Sequence, residues 1–226
     1  MLIGHLGVGL AAKKLDSRVP LWVLLVAAVF VDLINCFFLF IGVEVVRVAP
    51  GYTAWVPLEL VSIPWTHSLA LQLFWAAFAC GAVLGFARSK KIENPTKVAL
   101  LLGGVVFLHY FCDALVHVRD LALWPGSIKI GLGLWNYPLI SNTIEIAFFG
   151  GGLLLYAAAM RSSAPHALAY VIGFAAINIS LQVASGFIPP YTTNVAVVAL
   201  NLLFTFVLLI ALGWFMERKL LRKASA

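Results

Sequence analysis

Six apolar segments, each long enough to cross a bilayer, dominate this chain of 226 residues. Hydrophobic residues make up 63% of the chain and charged residues only 11%, whereas soluble domains average about 25% charged residues. A membrane-spanning helix needs about 20 apolar residues, and the segments cover roughly residues 20–43, 64–87, 97–118, 138–160, 166–188 and 193–216. We therefore predict an all-α, polytopic membrane protein with about six transmembrane helices.

Residues 1–12 are also apolar, but they are too few to span a membrane. They predict a short N-terminal half-helix that dips into the membrane. Such a broken segment is tolerated at membrane depth only where it is buried in protein or lines a cavity. Because the remaining loops are short, we predict a single transmembrane domain over residues 1–226.

The Lys and Arg residues fall almost entirely on one side of this arrangement. All but three of the fifteen lie in the loops at residues 13–18 and 88–97, at Arg161 or in the C-terminal tail, and the exceptions are Arg47, Arg119 and Lys129. The positive-inside rule then places both termini in the cytoplasm. The net charge of +6 is explained by this topology, so we predict no nucleic-acid partner.

Ionisable residues inside the apolar segments are the candidate functional residues. His109, Asp113 and His117 recur every four residues, and this spacing keeps side chains on one face of a helix. At about 1.5 Å per residue from the basic ends of the segments, His109 lies at a depth of roughly 18 Å and Asp113 at roughly 24 Å. The same count places three further ionisable side chains in or near this layer: Asp32, His67 and Glu145. His5 reaches it only if the N-terminal half-helix dips inward.

These residue types at one depth predict a metal site. Charged groups inside a membrane cost several kcal/mol unless they are paired, hydrated or bound to a metal. Asp oxygens and His nitrogens are ligands of zinc, manganese and iron, and we favour zinc or manganese. His117 lies about 12 Å along the helix axis from His109, so a second metal or a substrate-facing role for His117 stays open. For Glu145, a hydrogen bond to a neighbouring helix and a role as ligand or general base are both open.

Four short motifs occur in the order found in one known family. They are Gly4-His5-Leu6, Asp32 followed by Asn35, Thr66-His67-Ser68-Leu69, and His109 with Asp113 ahead of Trp124-Pro125. Over residues 1–125 the chain resembles the membrane-bound metal-dependent hydrolases, the YdjM-like inner-membrane proteins. It departs from that pattern at Val31, where the family has Pro, and at Asn35, where an acid is common. Residues 126–226 are predicted to form additional transmembrane helices.

The resemblance implies an integral inner-membrane protein with five metal ligands, His5, Asp32, His67, His109 and Asp113. It implies a hydrolase in which a metal-activated water attacks the substrate. No motif of the family supplies Glu145; from their chemistry and depth, we take Glu145 and His117 as the candidates for general acid or base. A site in the outer half of the bilayer points to membrane lipid as the partner and a lipid-like phosphoester as the substrate. Two alternatives stay open: an ion- or proton-coupled transporter using the same His/Asp cluster, and a catalytically inactive scaffold. The oligomeric state is not predicted.

Overall fold

The computed structural model describes residues 1–160, 167–185 and 192–222, and this part of the chain is almost entirely helical. Predictions that concern Arg161, His166, residues 186–188 and Lys223 fall outside these ranges. The helices are α1 (Ile3–Ala12), α2 (Leu21–Ala28), α3 (Phe30–Phe40), α4 (Leu69–Ser89), α5 (Pro95–Val116), α6 (Pro138–Met160), α7 (Ala167–Ser185) and α8 (Val195–Arg222).

By length and composition, five of the described helices, α4 to α8, can cross a membrane. The pair α2 and α3 gives a sixth crossing if it is counted as one bent span. Helix α1 is the short apolar N-terminal helix. The predicted all-α architecture of about six apolar spans is confirmed.

The first predicted span, residues 20–43, is not one straight helix. Helix α2 ends at Ala28 and α3 begins at Phe30, and the two are bent by 54°. Val29 at the break has φ −111° and ψ 16°, which no longer continues the helix. Helices usually kink at Pro or Gly, and neither residue occurs between positions 21 and 41. The bend brings the carbonyl oxygen of Ala28 to 3.1 Å from His109 Nδ1.

Helix α1 packs directly against α6 through two glycines. A Cβ atom added at Gly152 would lie 2.0 Å from the carbonyl oxygen of Gly7, and one added at Gly7 would lie 2.3 Å from the carbonyl oxygen of Phe148. Small residues let helix backbones approach this closely in membrane proteins. The neighbours Gly150 and Gly151 differ, because a Cβ there would meet no described atom within 4 Å. Gly152 is therefore the residue of this run that fixes α1, and with it His5.

Two short antiparallel hairpins and one turn of 3-10 helix occupy loops that the sequence did not assign. Strands β1 (Val45–Val48) and β2 (Leu58–Ser62) form the first hairpin, and β3 (Leu121–Ala122) and β4 (Lys129–Ile130) form the second. The 3-10 helix covers Leu134–Asn136. A single bridge between Ser68 and Ala122 joins the second hairpin to the start of α4. The hairpins therefore lie at the end of the bundle where α4 begins and α5 ends.

The opposite end of the bundle carries charged contacts between loops. Arg18 Nη1 donates to Glu93 Oε2 at 2.8 Å, and Lys97 Nζ lies 3.5 Å from Asp16 Oδ2. The hydrogen bond from the Arg18 side chain holds the pKa of the Asp16 carboxyl well below its usual range. These contacts join the loop between α1 and α2 to the loop between α4 and α5, so two of the basic loops lie side by side.

Helix α8 ends on the same side of the bundle, so its basic C-terminal end lies beside the basic loop that follows α1. Lys13 Nζ lies 2.5 Å from Glu217 Oε1, and Glu217 Oε2 accepts a hydrogen bond from the backbone N–H of Leu21 at 2.7 Å. By the positive-inside rule we expect this end to face the cytoplasm.

Green fluorescent protein fused after Ala226 should then fluoresce, and alkaline phosphatase fused there should be inactive. An active phosphatase would show that the C-terminus lies on the outer side of the membrane, opposite to the predicted orientation.

Candidate metal centre

The five predicted metal ligands meet around one carboxylate, that of Asp113. Their elements are α1 for His5, α3 for Asp32, the turn before α4 for His67, and α5 for both His109 and Asp113. Asp113 and His5 are in contact although they are 108 positions apart in the chain. All five side chains are buried except that of Asp32, which is 16% exposed.

Each oxygen of the Asp113 carboxylate faces a different set of histidine rings. Oδ1 lies 2.9 Å from His5 Nε2. Oδ2 lies 3.1 Å from His109 Nε2 and 3.5 Å from His67 Nε2. The second carboxylate, that of Asp32, places Oδ1 at 3.5 Å from Nε2 of both His67 and His109. Imidazole and carboxylate donors therefore alternate around a small buried volume.

Two overlapping groups of donor atoms within this cluster could hold a metal ion. One group is His5, His109 and Asp113, and the other is Asp32, His67 and His109. Within each group the donor atoms lie within 4.8 Å of one another. Metal–ligand bonds of about 2.0–2.2 Å keep two ligands of one ion at most about 4.4 Å apart, and the contacts of 2.9–3.5 Å in the cluster meet that limit.

Three buried atoms of the cluster make no hydrogen bond to any described residue. They are His5 Nδ1, Asp32 Oδ2 and His109 Nε2, the last of which lies in ion-pair range of Asp113 Oδ2, at 3.1 Å. Buried polar atoms without partners are rare because leaving them unsatisfied costs free energy. A divalent cation accepts lone pairs from nitrogen and oxygen alike. The residues present therefore fit a divalent metal.

The ring of His109 is held in an orientation that suits a ligand. Its Nδ1 lies 3.1 Å from the carbonyl oxygen of Ala28, which can only accept a hydrogen bond. Nδ1 therefore carries the proton, and Nε2 keeps its lone pair toward the carboxylates of Asp32 and Asp113. The ring also stacks on that of His5, with centroids 3.8 Å apart and planes 12° apart. Outer contacts of this kind usually fix the ring of a metal-binding histidine.

His117 is the C-cap residue of α5 and lies on the helical face predicted for it. Its backbone N–H still bonds to the carbonyl oxygen of Asp113 at 2.9 Å, and the chain leaves the helix only after it, at φ −61° and ψ 146°. Four residues after Asp113, His117 places Nε2 at 3.6 Å from Asp113 Oδ1. Its Nδ1 bonds to Asp120 Oδ1 at 3.0 Å, and its ring packs at 4.0 Å from that of Trp135. His117 is therefore a fourth imidazole of the cluster, and its predicted service to a second metal or to the substrate stays a prediction.

Glu145 is buried beside the cluster and contacts the start of α1. Its Oε2 accepts hydrogen bonds from the backbone N–H groups of Leu2 at 2.7 Å and Gly4 at 3.3 Å. The first N–H groups of a helix have no partner within the helix, and negative charge is favourable there. In the same place the amino group of Met1 contacts Asp113 Oδ1. Glu145 thus bonds to a neighbouring helix, and its role as ligand or general base stays a prediction.

Two buried acids that the sequence analysis did not single out also support the histidines. Asp120 bonds to His117 Nδ1, as described above. Glu44 Oε2 accepts a hydrogen bond at 2.6 Å from the hydroxyl of Thr66, whose oxygen lies 2.7 Å from His67 Nδ1. Both acids lie outside the long apolar segments, where charged residues are ordinarily solvated. Only the structure shows that both acids are buried and hydrogen-bonded, Asp120 to His117 and Glu44 to Thr66.

A cavity of about 480 Å³ lies against the cluster. Its polar lining consists of Asp32, Asn35, His67, Asp113, His117 and Glu145, with Gln182, Ser185, Thr192, Asn201 and Thr205 from the α7 and α8 side. Most of the other lining residues are apolar and come from the first hairpin, α7 and α8, including Leu58, Leu60, Leu181, Leu202 and Phe206. Pockets for small molecules typically enclose about 300–1,000 Å³. The cavity thus joins the His/Asp cluster to an apolar wall formed partly by membrane-spanning helices.

Comparison of the chain with known proteins gives no match to a family model, a curated protein or a solved structure. The site geometry is therefore the basis for a functional assignment. The chain has apolar helices able to cross a membrane and buried His/Asp groups that could hold a metal ion.

Proposed function

We propose that this chain is a membrane-embedded, metal-dependent hydrolase that acts on a lipid-like phosphoester. The observation that carries the proposal is the arrangement of four imidazoles and two carboxylates at one end of a largely apolar cavity. The motif resemblance to the YdjM-like membrane-bound hydrolases agrees with it, and the inner membrane is the location that this family implies.

His5, Asp32, His67, His109 and Asp113 would hold the metal. A mixed set of imidazole nitrogens and carboxylate oxygens suits zinc or manganese. A divalent cation bound there would lower the pKa of a coordinated water toward neutrality and so provide a nucleophile. The metal would also add positive charge beside both buried carboxylates, of which Asp113 already contacts the Met1 amino group.

His117 is the residue best placed to move a proton. Its Nδ1 bonds to Asp120, which leaves Nε2 as the atom that can take up or release a proton at the cluster. The ring lines the cavity, so a bound substrate would lie within reach of it. Glu145 lines the same cavity and is the second candidate for this role.

The shape and charge of the cavity favour an amphipathic substrate. Its apolar lining residues would cover a hydrocarbon chain, while the His/Asp cluster would receive the head group. Among the described residues that line the cavity there is no Lys or Arg, and the Met1 amino group is paired with Asp113, so the metal would supply the countercharge for a phosphoester. We therefore expect the scissile bond of such a substrate at the His/Asp cluster and its hydrocarbon chain against α7 and α8.

Purified protein should contain a divalent metal, and the His109→Ala variant should have lost it. Metal content is measured by mass spectrometry after purification in detergent, with Zn²⁺ and Mn²⁺ added back separately. Loaded wild-type protein should release phosphate from long-chain phosphoesters such as dioleoyl phosphatidate and polyprenyl phosphate. Glycerol 3-phosphate, which lacks the chains, should be a far poorer substrate.

Glu59→Gln is the matched control, since Glu59 pairs with Arg47 on the first hairpin away from the cluster. It should keep both metal content and activity. Wild-type protein that binds neither metal would contradict the metal site. Bound metal without hydrolysis, together with metal uptake by proteoliposomes, would instead favour the transporter.

A further inference from the structure

We propose that Glu44 is a positioning residue that acts through Thr66 to fix which ring nitrogen of His67 carries the proton. The proposal rests on the proposed function, because it assigns His67 Nε2 as a metal-ligating atom. It concerns a part of the chain, the turn after α3, that contributes no donor to the cluster itself.

The Glu44 carboxylate is buried, and both of its oxygens accept hydrogen bonds. Oε1 accepts from the backbone N–H groups of Trp65 and Thr66, each at 2.9 Å. Oε2 accepts from Asn35 Nδ2 at 2.7 Å and from the Thr66 hydroxyl at 2.6 Å. Four donors from two segments therefore hold this carboxylate against the turn that carries His67.

Thr66 links Glu44 to His67 through its hydroxyl group. A hydroxyl has one proton, so it can donate to only one of these two neighbours. A carboxylate only accepts, so the Thr66 proton points to Glu44 Oε2. The Thr66 oxygen must then act as acceptor in its 2.7 Å contact with His67 Nδ1. The proton of the neutral ring therefore lies on Nδ1. His67 Nε2 is left with its lone pair toward Asp32 and Asp113.

The same contacts explain why position 35 carries an amide. Asn35 Nδ2 donates to Glu44 Oε2 and lies 3.3 Å from the Thr66 hydroxyl oxygen. An acid at this position would place a second carboxylate 2.7 Å from that of Glu44. In water-poor surroundings, two like charges so close are strongly unfavourable. Asn35 is thus a partner of Glu44, and its presence does not argue against a working site.

Glu44→Gln should reverse the proton position on His67. The glutamine oxygen has to remain opposite the N–H groups of Trp65 and Thr66, so the new amide NH₂ faces the Thr66 hydroxyl. That hydroxyl would then accept from the amide and donate to His67 Nδ1. The neutral ring would carry its proton on Nε2, where it can no longer bind a metal.

The test is nitrogen NMR of protein labelled with ¹⁵N-histidine, recorded metal-free at a pH where the rings are neutral. A His67→Gln variant assigns the signals. Wild-type His67 should show a protonated Nδ1, and Glu44→Gln should show a bare Nδ1. In a separate titration with Zn²⁺, Glu44→Gln should bind about 10–100-fold more weakly, the usual effect of losing an outer partner of a metal ligand.

Two substitutions of Thr66 keep the test independent of how well Glu44→Gln folds. Thr66→Ser retains the hydroxyl and should retain both the protonated Nδ1 and the wild-type Zn²⁺ affinity. Thr66→Val keeps the shape but removes the hydroxyl, so Nδ1 loses its acceptor and the ring should show the reversed proton position. Glu59→Gln, an acid-to-amide change on the first hairpin, should change neither signal.

A wild-type neutral ring with its proton on Nε2 overturns the proposal, and so does an unchanged His67 spectrum in Thr66→Val. The NMR result does not require metal. A protonated Nδ1 in a protein that binds neither Zn²⁺ nor Mn²⁺ would therefore refute the proposed function while leaving the positioning role of Glu44 in place.

Discussion

Asp113→Asn is expected to abolish metal binding, with affinity reduced by more than about 100-fold. Losing an outer partner of a ligand typically costs about 10–100-fold, and Asp113 is itself a predicted ligand at the centre of the cluster. Its two oxygens lie within 3.6 Å of the Nε2 atoms of four histidines. An amide has one acceptor oxygen, so one set of rings would face an NH₂ group in its place.

The asparagine variant should still fold, because it keeps the shape of the side chain and can still hydrogen-bond to His5. Metal content after purification and Zn²⁺ titration measure the effect, and size-exclusion chromatography in detergent checks the fold. Asp120→Asn provides a graded comparison, since Asp120 contacts only His117 within the cluster and should cause a smaller loss. Asp16→Asn, at the opposite end of the bundle, should cause none.

Equal losses in Asp113→Asn and Asp120→Asn would show that Asp113 is not the centre of the site. Normal metal content in Asp113→Asn would remove the site as described. Either outcome would also argue against hydrolysis by a metal-activated water at this cluster.

Gly152→Ala is expected to destabilise the protein by about 1–3 kcal/mol or more, although it adds a single methyl group. Overpacking a tight contact typically costs about that much. The new Cβ would lie 2.0 Å from the carbonyl oxygen of Gly7, and a backbone atom cannot move aside as a flexible side chain can. Helix α1 must shift to relieve the clash, and His5 shifts with it. Thermal unfolding in detergent should show a lower midpoint, and Zn²⁺ affinity should fall.

Gly151→Ala is the matched control one residue earlier on the same helix. A Cβ there meets no described atom within 4 Å, and alanine is favoured over glycine within a helix by about 1 kcal/mol. This variant should be neutral or slightly stabilised and should keep its metal. If both variants behave alike, the Gly7–Gly152 contact does not hold α1 in place.

The sequence alone determined the membrane class and the core of the site. Apolar segments of about 20 residues leave the chain little choice but to span a bilayer as helices, because backbone groups must be satisfied within each segment. The spacing of His109 and Asp113 places them on one helical face whatever surrounds them. The set of five predicted ligands followed from the cost of ionisable groups at membrane depth together with the motif resemblance.

The tertiary structure decided the features that depend on contacts distant in sequence. The bend at Val29, which directs the Ala28 carbonyl toward His109, could not be predicted because no proline or glycine lies near it. The contacts of His117 with Asp120 and with the ring of Trp135 depend on how the chain folds after α5 ends.

The roles of Glu44, Glu145 and Gly152 were likewise decided by packing. Glu145 bonds to Gly4 from 141 positions away. Which glycine of the 150–152 run meets Gly7 depends on how α1 crosses α6. Sequence periodicity specifies which face of a helix a residue lies on, but the neighbour on that face is selected by the packing of the whole bundle.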